Sequence, residues 1–283
     1  AIAIAERPLG YFIERTQPRM GQRGTTVEVT ISGFAHPKPE EVIFYRPGIR
    51  AVEIEPLPDL PQPVGLAHGG LIQAQMRCKF VIDADCPAGV HPFRVRSTTE
   101  LSSLGTFHVT PFPVIDEIEK CNYENDTLEK AQPVTPNVSV RGRLGSVSRG
   151  DVDLYRVPAV AGQGLSVEVD HAQISDIHYG DSENDAMVRV LDETGRELGR
   201  NDDSMLHLQD PVLSVKLSHD GVAYVEVKRP VATNGDTAYV VHIGNFRRPL
   251  IAFPAGGQAG RDEAIRFLGD ALGDFSETIA VPA

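Results

Sequence analysis

Residues 26–31, TVEVTI, alternate apolar and polar side chains and end at the turn-forming pair Ser32-Gly33. A period of two is typical of a half-buried β-strand, in which successive side chains point to opposite faces. Similar runs recur, mostly separated by Pro, Gly or Asp clusters, at residues 41–45, 72–82, 92–95, 105–109, 138–142, 152–157, 165–170, 187–191, 212–217, 222–227 and 238–243. Short strands at this density predict an all-β protein built of β-sandwiches.

Helical periodicity is scarce in this sequence. Residues 261–272 are the one fair helix candidate, and Gly269 interrupts them. Residues 219–221, His-Asp-Gly, predict a hairpin turn in which Gly221 takes a positive φ.

A chain of 283 residues is long enough for about two domains, each with its own core. We predict one sandwich over residues 1–113, a proline-bearing linker at 111–114, and a second sandwich over 114–247. Residues 18–24 and 254–260 both fit the pattern P-x-x-G-Q-x-G. We therefore interpret residues 248–283 as the start of a third β unit that is incomplete, or as a C-terminal extension; the alternative is chance similarity between two glycine-rich turns.

The formal charge of −12 is concentrated in the middle of the chain. Residues 114–247 hold 13 basic and 23 acidic residues, whereas residues 1–113 hold 11 of each. Phosphate binding needs a basic footprint, so we expect no nucleic-acid partner. An acidic surface favours solubility, and clustered carboxylates can also bind a hard cation such as Ca²⁺.

Cysteine usage and hydropathy say little about the cellular compartment of this protein. Cys78, Cys86 and Cys121 allow at most one disulfide plus a free thiol, and the sequence leaves the pairing open. We expect no membrane span, because no apolar run approaches the roughly 20 residues that one needs. The chain opens AIAIA without a methionine, which fits a signal-peptide remnant or an arbitrary start.

Several segments of the acidic section occur in the order found in one bacterial family. They are residues 124–127 (ENDT) followed by Ala131, residues 150–155 (GDVDLY), residues 190–195 (VLDETG), residues 201–203 (NDD) and residues 220–227 (DGVAYVEV). This ordered set resembles the pre-peptidase C-terminal (PPC) domain, a family that includes collagen-binding domains of collagenases. Residues 22–29 (QRGTTVEV) resemble the immunoglobulin-like domain that precedes PPC domains in large secreted bacterial proteins.

The resemblance implies a fold, a location and a metal site. It implies an immunoglobulin-like sandwich followed by a PPC or jelly-roll-like sandwich, in a protein that is secreted, periplasmic or on the cell surface. Calcium-binding PPC domains carry oxygen ligands at positions that match Asn125, Asp126, Asp151 and Asp153. Tyr123 stands where the family's glutamate ligand is expected, with Glu119 and Glu124 as substitutes.

The residues themselves support part of this metal-site prediction. Asp151 and Asp153 alternate along a predicted strand, so both would face one side, where Ca²⁺ takes six to eight oxygen ligands. The alternative is that these acids cap turns on a solvated edge. We expect bound Ca²⁺ to order residues 116–126 against the strand at Asp151. A second acid-rich set could bind another cation, although turn formation is the simpler role: Asp181, Asp185, Asn201, Asp202, Asp203 and Asp210.

No local catalytic signature accompanies these features. The sequence has no HExxH motif, no G-x-S-x-G elbow and no Walker or Rossmann loop between a strand and a helix. We therefore expect a non-catalytic exported binding or structural module, with a protein or polysaccharide polymer, or neighbouring domains, as partner. Accessory domains of a secreted peptidase or other hydrolase are the alternative. A hydrolase with a triad assembled from distant residues is a third.

Overall fold

The computed structural model describes residues 12–34, 38–59, 74–118, 124–145, 150–174, 185–204, 207, 209–231 and 237–282. All the regular elements in these ranges are β-strands, which confirms the predicted all-β class. No helix in the described ranges is long and apolar enough to cross a membrane. The chain divides into two compact units, residues 1–114 and residues 115–283. The predicted boundaries at 113/114 and 247/248 stay predictions.

The first unit is a sandwich of two four-stranded sheets. Its strands are β1 (Phe12–Gln17), β2 (Met20–Gln22), β3 (Thr26–Phe34), β4 (Pro39–Phe44), β5 (Ile49–Leu57), β6 (Ala74–Ile82), β7 (Gly89–Ser97) and β8 (Gly105–Thr110). The sheet orders are β1-β3-β6-β5 and β2-β8-β7-β4. Alternate side chains of β6 enter the core, and the ring centroid of Phe80 lies 5.0 Å from those of Phe44 and Phe107. Edge-to-face rings of this kind bind the two sheets together.

The second unit contains two five-stranded sheets and a smaller third one. Its first strands are β9 (Val114–Asp116), β10 (Gln132–Pro133), β11 (Val138–Leu144), β12 (Val152–Ala159), β13 (Gly164–Asp170) and β14 (Met187–Leu191). The others are β15 (Glu197–Asn201), β16 (Val212–Lys216), β17 (Gly221–Lys228), β18 (Thr237–Gly244), β19 (Ile251–Phe253), β20 (Asp262–Leu268) and β21 (Phe275–Ala280). The sheet orders are β10-β12-β17-β14-β15, β16-β13-β18-β11-β9 and β19-β20-β21. One apolar core, rich in valine, is shared by strands of the two larger sheets.

The helix prediction for residues 261–272 is wrong. Residues 262–268 form β20, which pairs with β21 from Asp262 opposite Ala280 to Phe267 opposite Phe275. Ile265 is buried and the rings of Phe267 and Phe275 stack at 4.9 Å between centroids. The apolar residues of β20 are spaced ambiguously, so pairing with a distant strand overrides the weak helical pattern.

The predicted hairpin at residues 219–221 is also corrected. Gly221 takes a φ of 132°, as expected. However, β16 and β17 belong to different sheets, so the turn carries the chain across the sandwich. The Asp220 carboxylate holds the turn by accepting a hydrogen bond from the Ala161 backbone N–H at 2.8 Å.

Candidate functional site

Two of the predicted ligands lie at the start of β12, inside the second unit. Asp151 is 5% exposed and Asp153 is fully buried. The backbone N–H of Gly145 donates a hydrogen bond to Asp151 Oδ2. The Tyr239 hydroxyl donates to Asp153 Oδ2 at 2.7 Å. Burial of two adjacent acids is costly unless they gain partners, so this pair needs a compensating group.

Asn125 joins this pair through a residue that sequence reasoning missed, Glu117. The Asn125 side chain is buried and its Nδ2 donates to Glu117 Oε1 at 2.9 Å. The Asn125 backbone carbonyl also accepts from the Leu154 N–H of β12 at 3.1 Å. Glu117 in turn acts on Asp153, since its charge raises the pKa of that carboxyl. We call Glu117, Asn125, Asp151 and Asp153 the acidic cluster.

Strand pairing explains why Glu117 belongs to this cluster. It directly follows β9, and its N–H donates to the carbonyl of Arg141 on β11 at 2.9 Å. Its Oε2 accepts from the Arg143 N–H at 3.0 Å. The only sequence signal was its place in the acidic segment that opens the second unit, which contains several equivalent glutamates.

Two tyrosines close the inner side of the acidic cluster. Tyr155 and Tyr239 are fully buried, and their hydroxyl oxygens lie 2.5 Å apart. The Tyr155 hydroxyl also donates to Glu117 Oε1 at 3.3 Å. Gly142 makes room for the second ring, because a Cβ at this position would lie 2.4 Å from Tyr239 Cζ.

The electrostatics of the acidic cluster favour protonation. Burial raises the pKa of Asp153 well above its usual range, and the charge and hydrogen bond of Glu117 raise it further. The charge of Asp151 acts in the same direction, while the hydrogen bond from Tyr239 opposes it. Like charges brought together in the interior must either share a proton or gain a cation.

Unsatisfied oxygens make the acidic cluster a candidate cation site. Oδ1 of Asn125, Oδ1 of Asp151 and Oδ1 of Asp153 are buried without a hydrogen-bond donor from the protein. Such groups are rare in folded proteins and call for an explanation. Carboxylate and amide oxygens are the ligands that Ca²⁺ prefers, so the donor set fits this ion.

The acidic cluster is nevertheless closed by its own hydrogen bonds. Within the described ranges, no three or more His, Cys, Asp or Glu side chains are arranged as a metal-binding group. For Glu117 to coordinate a cation, its Oε1 would have to give up the hydrogen bonds from Asn125 and Tyr155. A cation would offset the repulsion among the carboxylates, which favours this movement.

The other residues considered as ligands are only partly described by the structure. Asp126 is half-buried beside Asn125, and its role as a ligand stays a prediction. Glu124 is exposed, while Glu119 and Tyr123 lie outside the described residues. Among the described residues, Glu117 is the glutamate that contacts Asn125 of the acidic cluster.

The second acid-rich set is not one cluster. Asp210 is fully buried and accepts backbone hydrogen bonds from three successive residues, His171, Ala172 and Gln173, at 2.7–3.0 Å. It organises a loop. Burial, then the charges of Asp202 and Asp203, raise the pKa of Asp185 to about 6.

Asn201 and Asp203 of this set make contacts that hold a turn. Asn201 Oδ1 accepts from the Val212 N–H at 3.1 Å, and its Nδ2 donates to the Asp203 carbonyl at 3.2 Å. These are the turn-forming contacts that were the simpler expectation. Asp181 lies outside the described residues.

A serine, a histidine and an aspartate are hydrogen-bonded in a row in the second unit. Ser139 Oγ lies 2.7 Å from His242 Nδ1, and His242 Nε2 lies 3.2 Å from Asp170 Oδ2. Ser139 has no exposed surface, so its hydroxyl cannot meet a substrate. The row connects β11, β18 and β13, and we interpret it as a buried polar contact between strands.

The cysteines of the first unit are also buried rather than reactive. Cys78 and Cys86 are free thiols without exposed surface, so this pair forms no disulfide. Burial raises the pKa of Cys78 to about 12. Cys86 Sγ lies 3.6 Å from His91 Nε2, but that nitrogen is engaged by the Pro87 carbonyl at 2.7 Å. Cys121 lies outside the described residues.

Comparisons with known proteins give no family and only remote structural similarities. No family model and no curated protein match this chain. Among solved structures, the chain is similar to the pre-peptidase C-terminal domain of a collagenase from Bacillus anthracis, at 16% identity and a TM-score of 0.32, over 42% of this chain and 99% of that domain. It is similar to the secreted serine protease VesC from Vibrio cholerae at 10% identity and a TM-score of 0.26, over 80% of this chain and 48% of that one.

A third solved structure is a Bacteroides ovatus glucan-utilization protein, SGBP-B, in complex with a mixed-linkage heptasaccharide. It is 8% identical, with a TM-score of 0.22, over 78% of this chain and 71% of that one. Similarities of this size carry no conclusion about ligand or activity. Membership of the PPC family stays a prediction.

Proposed function

We propose that this chain is a non-catalytic binding or structural module of an exported bacterial protein, and that Ca²⁺ stabilises its second unit. The acidic cluster carries this proposal, because its three unsatisfied buried oxygens and its adjacent carboxylates need a cation or a proton. The ordered sequence segments that resemble a PPC domain support the exported location. The partner would be a protein or polysaccharide polymer, or neighbouring domains of the same assembly.

Calcium bound in the acidic cluster would join two segments that are distant in the sequence. Residues 116–118 and Asn125 lie on the acidic opening segment, whereas Asp151 and Asp153 lie at the start of β12. A ligand that binds only the folded state stabilises it by about 2.7 kcal/mol at 100 times its dissociation constant. For a unit of this size, that corresponds to a rise in melting temperature of roughly 5–10 °C.

Thermal unfolding in millimolar CaCl₂ and in chelator tests this proposal. We expect the wild-type chain to gain several degrees in CaCl₂ and Asp151→Asn to gain none. Asp83→Asn is the matched control, since it removes a surface acid of the first unit that pairs with Arg50 and should keep the gain. Equal melting temperatures of the wild-type chain in both buffers would refute calcium binding at this cluster.

The non-catalytic part of the proposal needs a separate test. A panel of peptide and glycoside substrates should show no turnover by the purified chain. Turnover that is lost on replacing Ser139 or His242 would establish a hydrolase instead. Because neither residue is in the acidic cluster, this outcome is independent of calcium binding.

A further inference from the structure

The first unit has two open strand edges on one side of its sandwich. β4 is the last strand of one sheet and β5 is the last strand of the other, and residues 45–48 join them. Among the described residues, no backbone hydrogen bond joins β4 to β5. Residues 41–47 and 49–51 line a cleft of about 420 Å³ between the two strands. A volume of this size lies in the range of ligand-binding sites.

The hydrogen bonds of β7 show which way the backbone of β4 points. The Tyr45 N–H donates to the Pro92 carbonyl at 3.0 Å, so the backbone of Tyr45 faces β7. Val95 lies opposite Val42 but bonds through its own N–H and C=O to the loop after β7. Because the bonds of an antiparallel pair alternate, the N–H and C=O of Val42 and Phe44 point away from β7. They are the free main-chain donors and acceptors of the β4 edge.

The backbone of β5 is also open, but only along a short stretch. The N–H of Ile82, which lies opposite Ile49, donates to the carbonyl of Thr25, directly before β3, at 2.9 Å. The N–H and C=O of Ile49 and Ala51 therefore point away from β6. Further along, a register shift interrupts the edge, and Glu53 within it takes a φ of 53°. Irregularities of this kind blunt a strand edge, so we assign the acceptor role to β4.

The cleft exposes the edge of the apolar core of the first unit. The ring centroid of Phe44 lies 5.0 Å from that of Phe80 and 5.5 Å from that of Phe93. Phe80 and Phe93 are fully buried, whereas Phe44 and Ala51 are half-buried because β4 and β5 are the last strands of their sheets. Apolar side chains of an added strand would cover these two residues and continue the core.

The rim of the cleft carries one cation that no carboxylate compensates. Glu41 and Arg50 are each in an ion pair, at 2.9 Å and 3.2 Å. Arg46 has no carboxylate partner among the described residues, and its Nη1 donates to the Val90 carbonyl at 2.8 Å, which holds the guanidinium beside the end of β4. The neighbouring side chain, Tyr45, is 58% exposed. Arginine and tyrosine are favoured anchors in protein interfaces, and the charge of Arg46 is complementary to an acidic side chain.

We propose that β4 accepts a short extended segment of another protein as an antiparallel strand, with an acidic residue of that segment opposite Arg46. Main-chain hydrogen bonds to Val42 and Phe44 supply the affinity, and apolar side chains opposite these two residues fill the cleft. The open edge favours a polypeptide over a polysaccharide, because a polypeptide offers N–H donors and C=O acceptors at the repeat of the edge. This site lies in the first unit and does not rest on calcium binding by the second.

A capped synthetic peptide tests this acceptor strand, in chelator so that calcium plays no part. The peptide alternates valine and threonine, with valines opposite Val42 and Phe44 and an aspartate opposite Arg46. Its titration into the ¹⁵N-labelled full chain should shift the amide NMR signals of residues 41–45. N-methylation of the peptide amide that faces Phe44 should weaken binding by about fivefold, because it removes one main-chain hydrogen bond. N-methylation of the next amide, which points away from β4, is the matched control and should leave the dissociation constant within about twofold.

Arg46→Gln tests the charge at the rim of the cleft. We expect it to weaken peptide binding about threefold, as the loss of an exposed ion pair does. Arg77→Gln removes an arginine of β6 that pairs with Glu55 away from the cleft, and it should leave binding unchanged. The proposal is overturned if the amides of residues 41–45 do not shift, or if methylation of the two peptide amides has the same effect. An oligosaccharide that shifts these amides when the peptide does not, or a dimer of the chain formed through β4, would likewise overturn it.

Discussion

Replacing Asp153 by asparagine removes one of two carboxyl groups that meet inside the second unit. The amide keeps an acceptor for the Tyr239 hydroxyl and adds a donor toward Glu117, so the substitution leaves no new polar group unsatisfied. Two like charges about 4 Å apart at an effective dielectric constant of about 20 repel by about 4 kcal/mol. This is an upper limit, because the pair can reduce its repulsion by retaining a proton.

Compared with the wild-type chain, Asp153→Asn should be more stable at high pH in chelator and less stable in CaCl₂. Burial, Glu117 and Asp151 raise the pKa of Asp153, so the folded state binds its proton more tightly than the unfolded state does. In chelator, the stability of the wild-type chain should therefore fall as pH rises above about 4 and through the folded pKa. The variant lacks this loss and should melt several degrees higher than the wild-type chain at pH 8 in chelator.

In millimolar CaCl₂ the order should reverse, since the variant lacks a ligand. Circular dichroism melts at pH 5 and pH 8, each with chelator and with CaCl₂, measure all four conditions. A variant that is less stable than the wild-type chain at pH 8 in chelator would contradict the repulsion argument. A variant that keeps the full calcium gain would show that Asp153 is not a ligand.

Three further predictions concern buried contacts elsewhere. Gly142→Ala would place a methyl group 2.4 Å from Tyr239 Cζ, so urea unfolding should show that the free energy of unfolding falls by about 1–3 kcal/mol. An unchanged urea midpoint would contradict this prediction. Burial lowers the pKa of His242, but the hydrogen bond and charge of Asp170 outweigh burial and raise the pKa overall. The stabilisation of the folded chain by the Asp170–His242 contact should therefore be complete below about pH 6.5 and decline as pH rises through the folded-state pKa of His242. NMR titration of His242 checks this, and Asp170→Asn should remove the upward shift. Cys78 should resist a thiol reagent in the native chain, given its raised pKa of about 12, and react after unfolding; fast native labelling would disagree with its burial.

Strands were predictable wherever one face of a sheet is buried and the other is not. Residues 26–31 lie within β3 and residues 222–227 within β17, as their alternation indicates. β5 (Ile49–Leu57) was missed, because its pairing with β6 contains a register shift and its alternation is broken. β20 was mistaken for a helix, because a seven-residue strand with adjacent apolar residues fits both periods.

The sequence by itself determined the all-β class, the acidity of the middle section and the identity of three side chains in the acidic cluster, Asn125, Asp151 and Asp153. These follow from local pattern and from ordered motifs, which do not depend on distant contacts. Only the tertiary structure decided that Glu117, among several acidic neighbours, meets Asp153, because the pairing of β9 with β11 fixes which side chain points inward. It likewise decided that residues 262–268 pair with β21 as a strand, where the sequence alone favoured a helix. Strand partners are chosen by the edges and faces that packing leaves available, and a single strand's sequence does not contain that information.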